Sequence, residues 1–304
     1  DHGDCDDAQP FVNPDAVEVR ETDDGQPEGV DNDCDNMTDE EEPACEGASS
    51  GSDAYSYAGA IGLCERIASA RFEAPTDLRA RRIVSEFGAV YTPRQGEEMI
   101  AISTGIAADE NDSGFKDPEN GTDFGYGNVH MHPDPGPAMG CGDADPAEVN
   151  DYAELRLELQ VPTNAQSFSF DFNFMSSEYP EFVCTTFNDT FVALLESGAF
   201  KGNVSFDAMG NPVSINVAFF TVCYPPPGIP SACNGDDDLA GTGYDDAVGG
   251  GTGWLTTTSP IVPGEKMVLR FIIFDEGDHI LDSTVLIDNF RWHLKAVEVP
   301  TTEG

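Results

Sequence analysis

Two stretches of this chain concentrate oxygen-bearing side chains beside apolar strands. The first, FDFNFMSSEYPEFVCTTFNDTF at 170–191, alternates Phe170, Phe172 and Phe174 with Asp171 and Asn173, breaks at Ser176–Glu181, and resumes after Asn188 and Asp189. It offers Glu178, Glu181, Asn188 and Asp189 as ligands, and Pro180 prevents the ladder from running on through the break. The second, DEGDHILDSTVLIDN, offers Asp275, Glu276, Asp278, Asp282, Asp288 and Asn289. Calcium takes about six to eight oxygens from carboxylates, amides and carbonyls on irregular loops, and both stretches supply that chemistry. Neither holds a full D-x-D-x-D-G-x5-E run, so an EF-hand is not supported. Two rivals stand beside calcium. The acids could be solvated loop residues, or two of them could be a glycosidase pair, about 5 or 6.5–9.5 Å apart with one pKa raised. Acids are so abundant here that finding a pair means little, and calcium is the preferred assignment.

A second acidic concentration lies at the start. Asp4, Asp6, Asp7, Asp31, Asp33, Asp35 and Asp39 alternate with small or amide residues, so that successive carboxylates can converge on one hard cation. The bland alternative is a disordered acidic arm. His130-Met131-His132 would suit copper, but it sits in a Gly/Pro loop without a second ligand set. His2, His279 and His293 have no partner visible in the sequence. No nucleophile elbow or family signature supports Ser-His-Asp or Cys-His catalysis, and Gly249–Gly251 do not precede a helix as a phosphate cradle requires. The expectation is a non-enzyme. Aromatic residues in loops, Tyr179, Phe182, Tyr224, Tyr244 and Trp254, are candidates for stacking on a sugar, with Tyr179, Tyr244 and Trp254 favoured.

Composition narrows the partners. The chain carries 57 acids against 14 Lys and Arg, a formal charge of −43. Self-repulsion at that density opposes a compact state unless cations neutralise it. A nucleic-acid partner is excluded, since phosphate binding needs a basic footprint. Cys5, Cys34, Cys45, Cys64, Cys141, Cys184, Cys223 and Cys233 form an even set without C-x-x-C spacing, which favours disulfides and an oxidising compartment. Cys223 with Cys233, bracketing YPPPGIPSA, is the first candidate bridge and Cys5 with Cys34 the second. No apolar run approaches the ~20 residues of a membrane helix. The opening Asp1-His2-Gly3-Asp4 suggests a processed or partial product, so export is an inference. Sequons stand at Asn36, Asn111, Asn120, Asn188 and Asn203.

The elements that must position these groups are mostly strands. Residues 154–161, ELRLELQV, have a clear period of two, SFSFDFNF alternates in the same way, and FVALLES, PVSINVAFF, KMVLRFIIF and STVLIDNFRWHL complete the set, with EMIAIST ahead of them. Turn-rich loops separate them and the second half lacks helical spacing. That pattern predicts a mainly β fold, an antiparallel sandwich or jelly roll. One or two short helices are expected near its start. AYSYAGAIGLCERIASARF carries Ile61, Cys64, Ile67 and Ala68 at helical spacing, and DLRARRIVSEFG runs from Asp77 to Gly88. Arg66, Arg71, Arg79, Arg81 and Arg82 make a basic island there, suited to salt bridges with neighbouring acids or to docking an acidic surface of the N-terminal segment or of another copy. The expected organisation is an irregular acidic segment at 1–53, a sandwich at 54–297 and a tail at 298–304.

Two resemblances follow. DCDD (4–7), PDAVE (14–18), GVDNDCD (29–35) and DE (39–40) resemble the MopE-type metal-binding repeat of secreted bacterial proteins, over about 40 residues. The segment departs from that pattern where a further cysteine usually precedes the G-V-D-N-D run; here stands TDDGQPE. From 54 to 294 the chain resembles the choice-of-anchor L domain of bacterial surface and secreted proteins, through AIGLC (60–64), PRQGEEMIAISTG (93–105), the 170–191 stretch, PVSIN (212–216) and DEGDHILDSTVLIDNF (275–290). The resemblance implies a cell-surface or extracellular setting and little about chemistry. The expected function is a calcium-stabilised structural protein of an extracellular filament, matrix or adhesive layer, self-associating or meeting other surface proteins, with the N-terminal segment bridging subunits. A calcium-dependent carbohydrate-binding module is the alternative and a glycan hydrolase the remote one.

Overall fold

A computed structural model describes residues 9, 12–19, 29–39, 51–127, 129–131, 133, 149–185, 187, 189–206, 210–215, 219–224, 233–245, 248–296 and 301–303. One α-helix, α1 (Ala54–Ala60), precedes the strands. These are β1 (Ile67–Phe72), β2 (Arg81–Val84), β3 (Met99–Ser103), β4 (Val149–Gln160), β5 (Ser167–Ser176), β6 (Thr190–Glu196), β7 (Lys201–Asn203), β8 (Val213–Ser214), β9 (Val222–Cys223), β10 (Gly250–Gly251), β11 (Leu255–Pro260), β12 (Lys266–Glu276), β13 (Ser283–His293) and β14 (Thr301–Glu303). They form two antiparallel sheets. One runs β1-β4-β12-β6-β7 with β8 beside β6; the other runs β14-β11-β5-β13-β3-β2 with β10 against the end of β5. The protein is a mainly β antiparallel sandwich.

Period-two patterning builds the interior. Phe168, Phe170, Phe172 and Phe174 of β5 and Val285 and Ile287 of β13 face Leu155, Leu157 and Leu159 of β4 and Leu269, Phe271 and Ile273 of β12. Phe170 meets the Phe271 ring edge-on at 4.9 Å between the two sheets. Asp171 and Asn173 alternate with these phenylalanines and so project from the opposite face of β5. That outer face is covered too: Met99, Ala101, Met175 and Leu286 pack there with Phe87, Tyr91, Leu239 and Tyr244 from the loops. β5 is therefore buried on both faces, which explains why its polar alternates are core positions as well.

The helical expectations are corrected. The Asp53 carboxylate caps α1 through the Tyr55 and Ser56 N–H groups, but the helix ends at Ala60, and Ile67 and Ala68 lie in β1 instead. Gly62, at φ +99, takes a turn closed to most side chains, and a Cβ there would crowd the Phe290 carbonyl. The second expected helix is a single 3-10 turn, Leu78–Ala80, capped by Asp77. Ile83 and Val84, β-branched, then pair with β3. PVSINVAFF yields only β8 among its described residues. Thr301–Glu303, in the expected tail, pairs with β11.

Part of the N-terminal segment lies on this sandwich. Arg66, at positive φ, donates to the Asp15 and Ala16 carbonyls at 3.0 and 2.5 Å. Asn164 exchanges hydrogen bonds with the Val17 main chain at 3.0 and 2.8 Å, and Thr163 N–H donates to the Asp15 carbonyl. Ala16 is fully buried as a result. The Cys223–Cys233 disulfide ties β9 to the loop before Gly235. Cys34, Cys64 and Cys184 are disulfide-bonded as well, whereas Cys5, Cys45 and Cys141 lie outside the described residues, and with them the Cys5–Cys34 expectation. Among the described residues no helix is long and apolar enough to cross a membrane.

Candidate functional sites

The two acidic stretches meet at one end of the sandwich. β5 stops at Ser176, and Glu178 follows in the turn, its N–H donating to Ser176 Oγ. Asp189 immediately precedes β6, and its N–H donates to Glu178 Oε2 at 2.7 Å. Asp275 sits near the end of β12, beside a register shift against β4. Asp282 immediately precedes β13, and its N–H donates to the Pro118 carbonyl. Since β6 and β12 belong to one sheet and β5 and β13 to the other, the four carboxylates bridge the sandwich. All four are buried, Asp275 with 1% of its surface exposed.

Their oxygens are short of donors. Asp282 Oδ1 accepts from Thr122 N–H at 2.7 Å and Asp189 Oδ2 from Ser283 Oγ at 2.6 Å. Asp189 Oδ1, Asp282 Oδ2 and both oxygens of Asp275 accept no hydrogen bond, although the Asp189 carboxyl and the Thr104 hydroxyl lie close to Asp275. The hydroxyls of Ser177 and Thr122 and the Asn150 amide nitrogen are also unpartnered. Burial pushes the Glu178 carboxyl up to about 8, reinforced by the charges of Asp278 and Glu276. It pushes Asp282 up to about 6, with Lys116 opposing. Asp189 and Asp275 lie well above the carboxylate range, through burial and then neighbouring acids. Buried like charges of this kind stay ionised only around a cation, and an all-oxygen set suits a hard one. The glycine at 105 is required: a Cβ there would collide with the Asp282 carboxylate.

The other expected ligands are placed elsewhere. Glu181 is exposed, Asp278 is half-buried with Oδ1 accepting from Ile280 N–H, and Asn188 lies outside the described residues. Asp288 is on the outer face of β13, where its oxygens accept from the N–H groups of Arg94, Gln95 and Asn289. Next to the four-acid cluster, His279 Nδ1 lies 2.7 Å from Asp151 Oδ2 and 3.6 Å from Asp123 Oδ1, a trio that could itself hold a metal. The sequence hid this trio, because Asp151 falls inside a strand and Asp123 inside a loop full of acids.

In the N-terminal segment, ligand oxygens of Glu18, Asp31 and Asp33 lie within 4.8 Å of one another. The 31–37 loop winds about its own acids: Asp31 accepts from Asp35 and Asn36 N–H, Asp33 from Asp35 N–H and Asp35 from Met37 N–H. Asp39 accepts from Gly29 N–H and donates its own N–H to Glu18 Oε1. Glu18 was missed as a ligand, although it is the Glu of the PDAVE motif. Asp4, Asp6 and Asp7 lie outside the described residues. His130 stacks on Tyr152 at 4.0 Å with Nε2 3.0 Å from the Pro75 carbonyl, Met131 is exposed, and His132 lies outside the described residues.

The expected aromatic contacts divide. Tyr244 is 2% exposed with its hydroxyl on Thr284 Oγ1, so it is core and faces no ligand. Tyr179 is half-buried against Phe220. Trp254 instead lines a cleft of about 750 Å³, together with Tyr91, Thr92, Arg94, Asn289 and Arg291 among others.

This two-sheet frame, with its loop-borne acids, belongs to a known family. The choice-of-anchor L domain matches residues 95–290, and the chain is a member of that family. No curated protein matches it. Among solved structures, TmCBM61, a carbohydrate-binding module determined in complex with beta-1,4-galactotriose, is similar at 11% identity and a TM-score of 0.28, over 75% of this chain and 89% of that one. So loose a likeness bears on no ligand.

Proposed function

We propose that this protein is a secreted or cell-surface structural module whose sandwich is clamped shut by calcium. The carrying observation is that Glu178, Asp189, Asp275 and Asp282 are buried at one end of the sandwich with four carboxylate oxygens that accept no hydrogen bond of good geometry. With these side chains drawn together around it, a calcium ion would satisfy such oxygens and join the two sheets. The MopE-like segment supplies a second calcium position around Glu18, Asp31 and Asp33. Family membership and the disulfides favour an oxidising, extracellular setting. Burial of Glu178 and Asp189 favours a bracing role over hydrolysis, because a glycosidase pair must face its substrate. In the proposed role the module is a subunit of an extracellular filament, matrix or adhesive layer.

Metal analysis and chelation test the clamp. Protein purified without chelator is expected to carry calcium. Saturation at about a thousand times Kd stabilises by about 4 kcal/mol, so stripping the metal should lower Tm on the order of 10 °C for a domain of this size. Unchanged melting, with no calcium copurifying, defeats the proposal.

A further inference from the structure

The cleft beside Trp254 has the construction of a binding site. Behind its lining lies Asp171, buried on the outer face of β5, whose oxygens hold two of the lining side chains. Oδ1 accepts from Thr256 Oγ1 at 2.6 Å, and Oδ2 accepts from Asn289 Nδ2 at 2.8 Å and Arg94 Nε at 3.1 Å. A register shift in β13 between Asp288 and Arg291 puts Asn289 at φ +57, and Arg291 Nε then donates to Asn289 Oδ1 at 2.6 Å. Bulges of this kind re-aim side chains next to sites. One buried carboxylate thus fixes Arg94 and Asn289 directly, and Arg291 through Asn289. Asp288 holds the approach of the 94–95 loop through two N–H groups. Trp254 stands half-buried on the wall, with Tyr91 edge-on at 6.3 Å and the Arg94 guanidinium 5.9 Å from its ring centre.

Two features identify the occupant. Arg291 is exposed and has no ion pair among the described residues, in a chain where acids outnumber bases 57 to 14. Such a guanidinium suits an incoming anion, its terminal N–H groups being able to meet a carboxylate while Nε holds Asn289. The strand residues of the cleft, Asn289 and Arg291, lie in β13, which pairs there with β5, and the rest of the lining comes from loops, so side chains dominate what a ligand meets. Recognition comes from side chains: an aromatic wall, a carboxamide, two guanidinium groups and the exposed Asp238 carboxylate, which match ring faces, hydroxyls and, at Arg291, a carboxylate.

We propose that this cleft binds an acidic saccharide of the uronate class, with Trp254 against a sugar ring and Arg291 on its carboxylate. The site is separate from the buried acid cluster and does not depend on the calcium proposal. The test uses full-length protein desalted from free calcium, titrated calorimetrically with tetragalacturonate and an alginate tetramer. Cellotetraose is the neutral control and an oligoglutamate the acidic-peptide control. A uronate tetramer should bind, with cellotetraose weaker by about tenfold or more, the scale of one charge-assisted hydrogen bond. Arg291→Gln, an exposed change, should erase that preference, and Trp254→Ala should weaken both sugars. Melting of each variant with calcium shows that it is folded. The proposal is overturned by absence of uronate binding, by uronate binding that Arg291→Gln leaves unchanged, or by oligoglutamate competing on equal terms.

Discussion

At the scale of single residues, the cluster makes a prediction with a definite sign. Glu178 and Asp282 have folded-state pKa values raised to about 8 and about 6 by burial. The metal-free native state therefore binds more protons than the unfolded chain between about pH 4 and those values. Stability must then fall as pH rises across that window. Calcium bound as proposed would reverse the preference, since it favours the ionised carboxylates. The calcium-induced gain in Tm should be small near pH 5 and grow steadily to pH 8, which parallel melting series with calcium and with chelator will check. Asp275→Asn separates charge from shape. It should stabilise metal-free protein at pH 8 by roughly 2 kcal/mol, by relieving an uncompensated buried charge, and abolish most of the calcium response. Equal responses in wild type and variant would remove Asp275 from the site. Glu178, Asp189, Asp275 and Asp282 were legible because acids beside apolar strands ask for a cause. Glu181 and Asp288 looked the same on paper, since sequence does not say which loop acid turns inward. Gly105, Thr122 and Asp151 gave no signal, for their roles arise only when distant loops close over the cluster.

Elements show a similar division. Long strands such as β4 and β5 were readable because apolar and polar residues alternate along them, although β5 is buried on both faces. The stretch 77–84 was not. Its spacing fits a helix, yet its main chain completes the edge of β3, a long-range demand that local periodicity cannot register. Docking of the N-terminal segment was legible in part, since the basic island supplies Arg66, but its acceptors are main-chain carbonyls, which carry no letter in the sequence. The two Arg66 hydrogen bonds to Asp15 and Ala16 are charge-assisted. Arg66→Ala should therefore weaken docking by about 1.5–3 kcal/mol while leaving the β4–β12 core intact. Limited proteolysis with mass mapping is the check: cleavage within 1–53 should accelerate several-fold with little change in cleavage of the sandwich. Uniform acceleration along the chain would instead assign Arg66 a global role.

For the whole molecule, the charge of −43 couples stability to assembly. Repulsion among exposed acids is screened by monovalent salt over about 10 Å at 0.1 M, so sodium chloride should raise Tm of the metal-free protein gradually and without saturation. Calcium that fills defined sites should act at far lower concentration and then plateau. If the module builds a filament or layer, the same ion must also reduce repulsion between copies enough for edges such as β7 or β2 to approach a neighbour. Light scattering at fixed ionic strength, sodium exchanged for calcium, therefore distinguishes two outcomes after the sites are full. A further rise in mass with calcium, accompanied by ordered polymers in negative stain, supports assembly. A monomer of constant mass at high protein concentration rejects the filament role while leaving the proposed clamp untouched, because its four acids all lie within one chain.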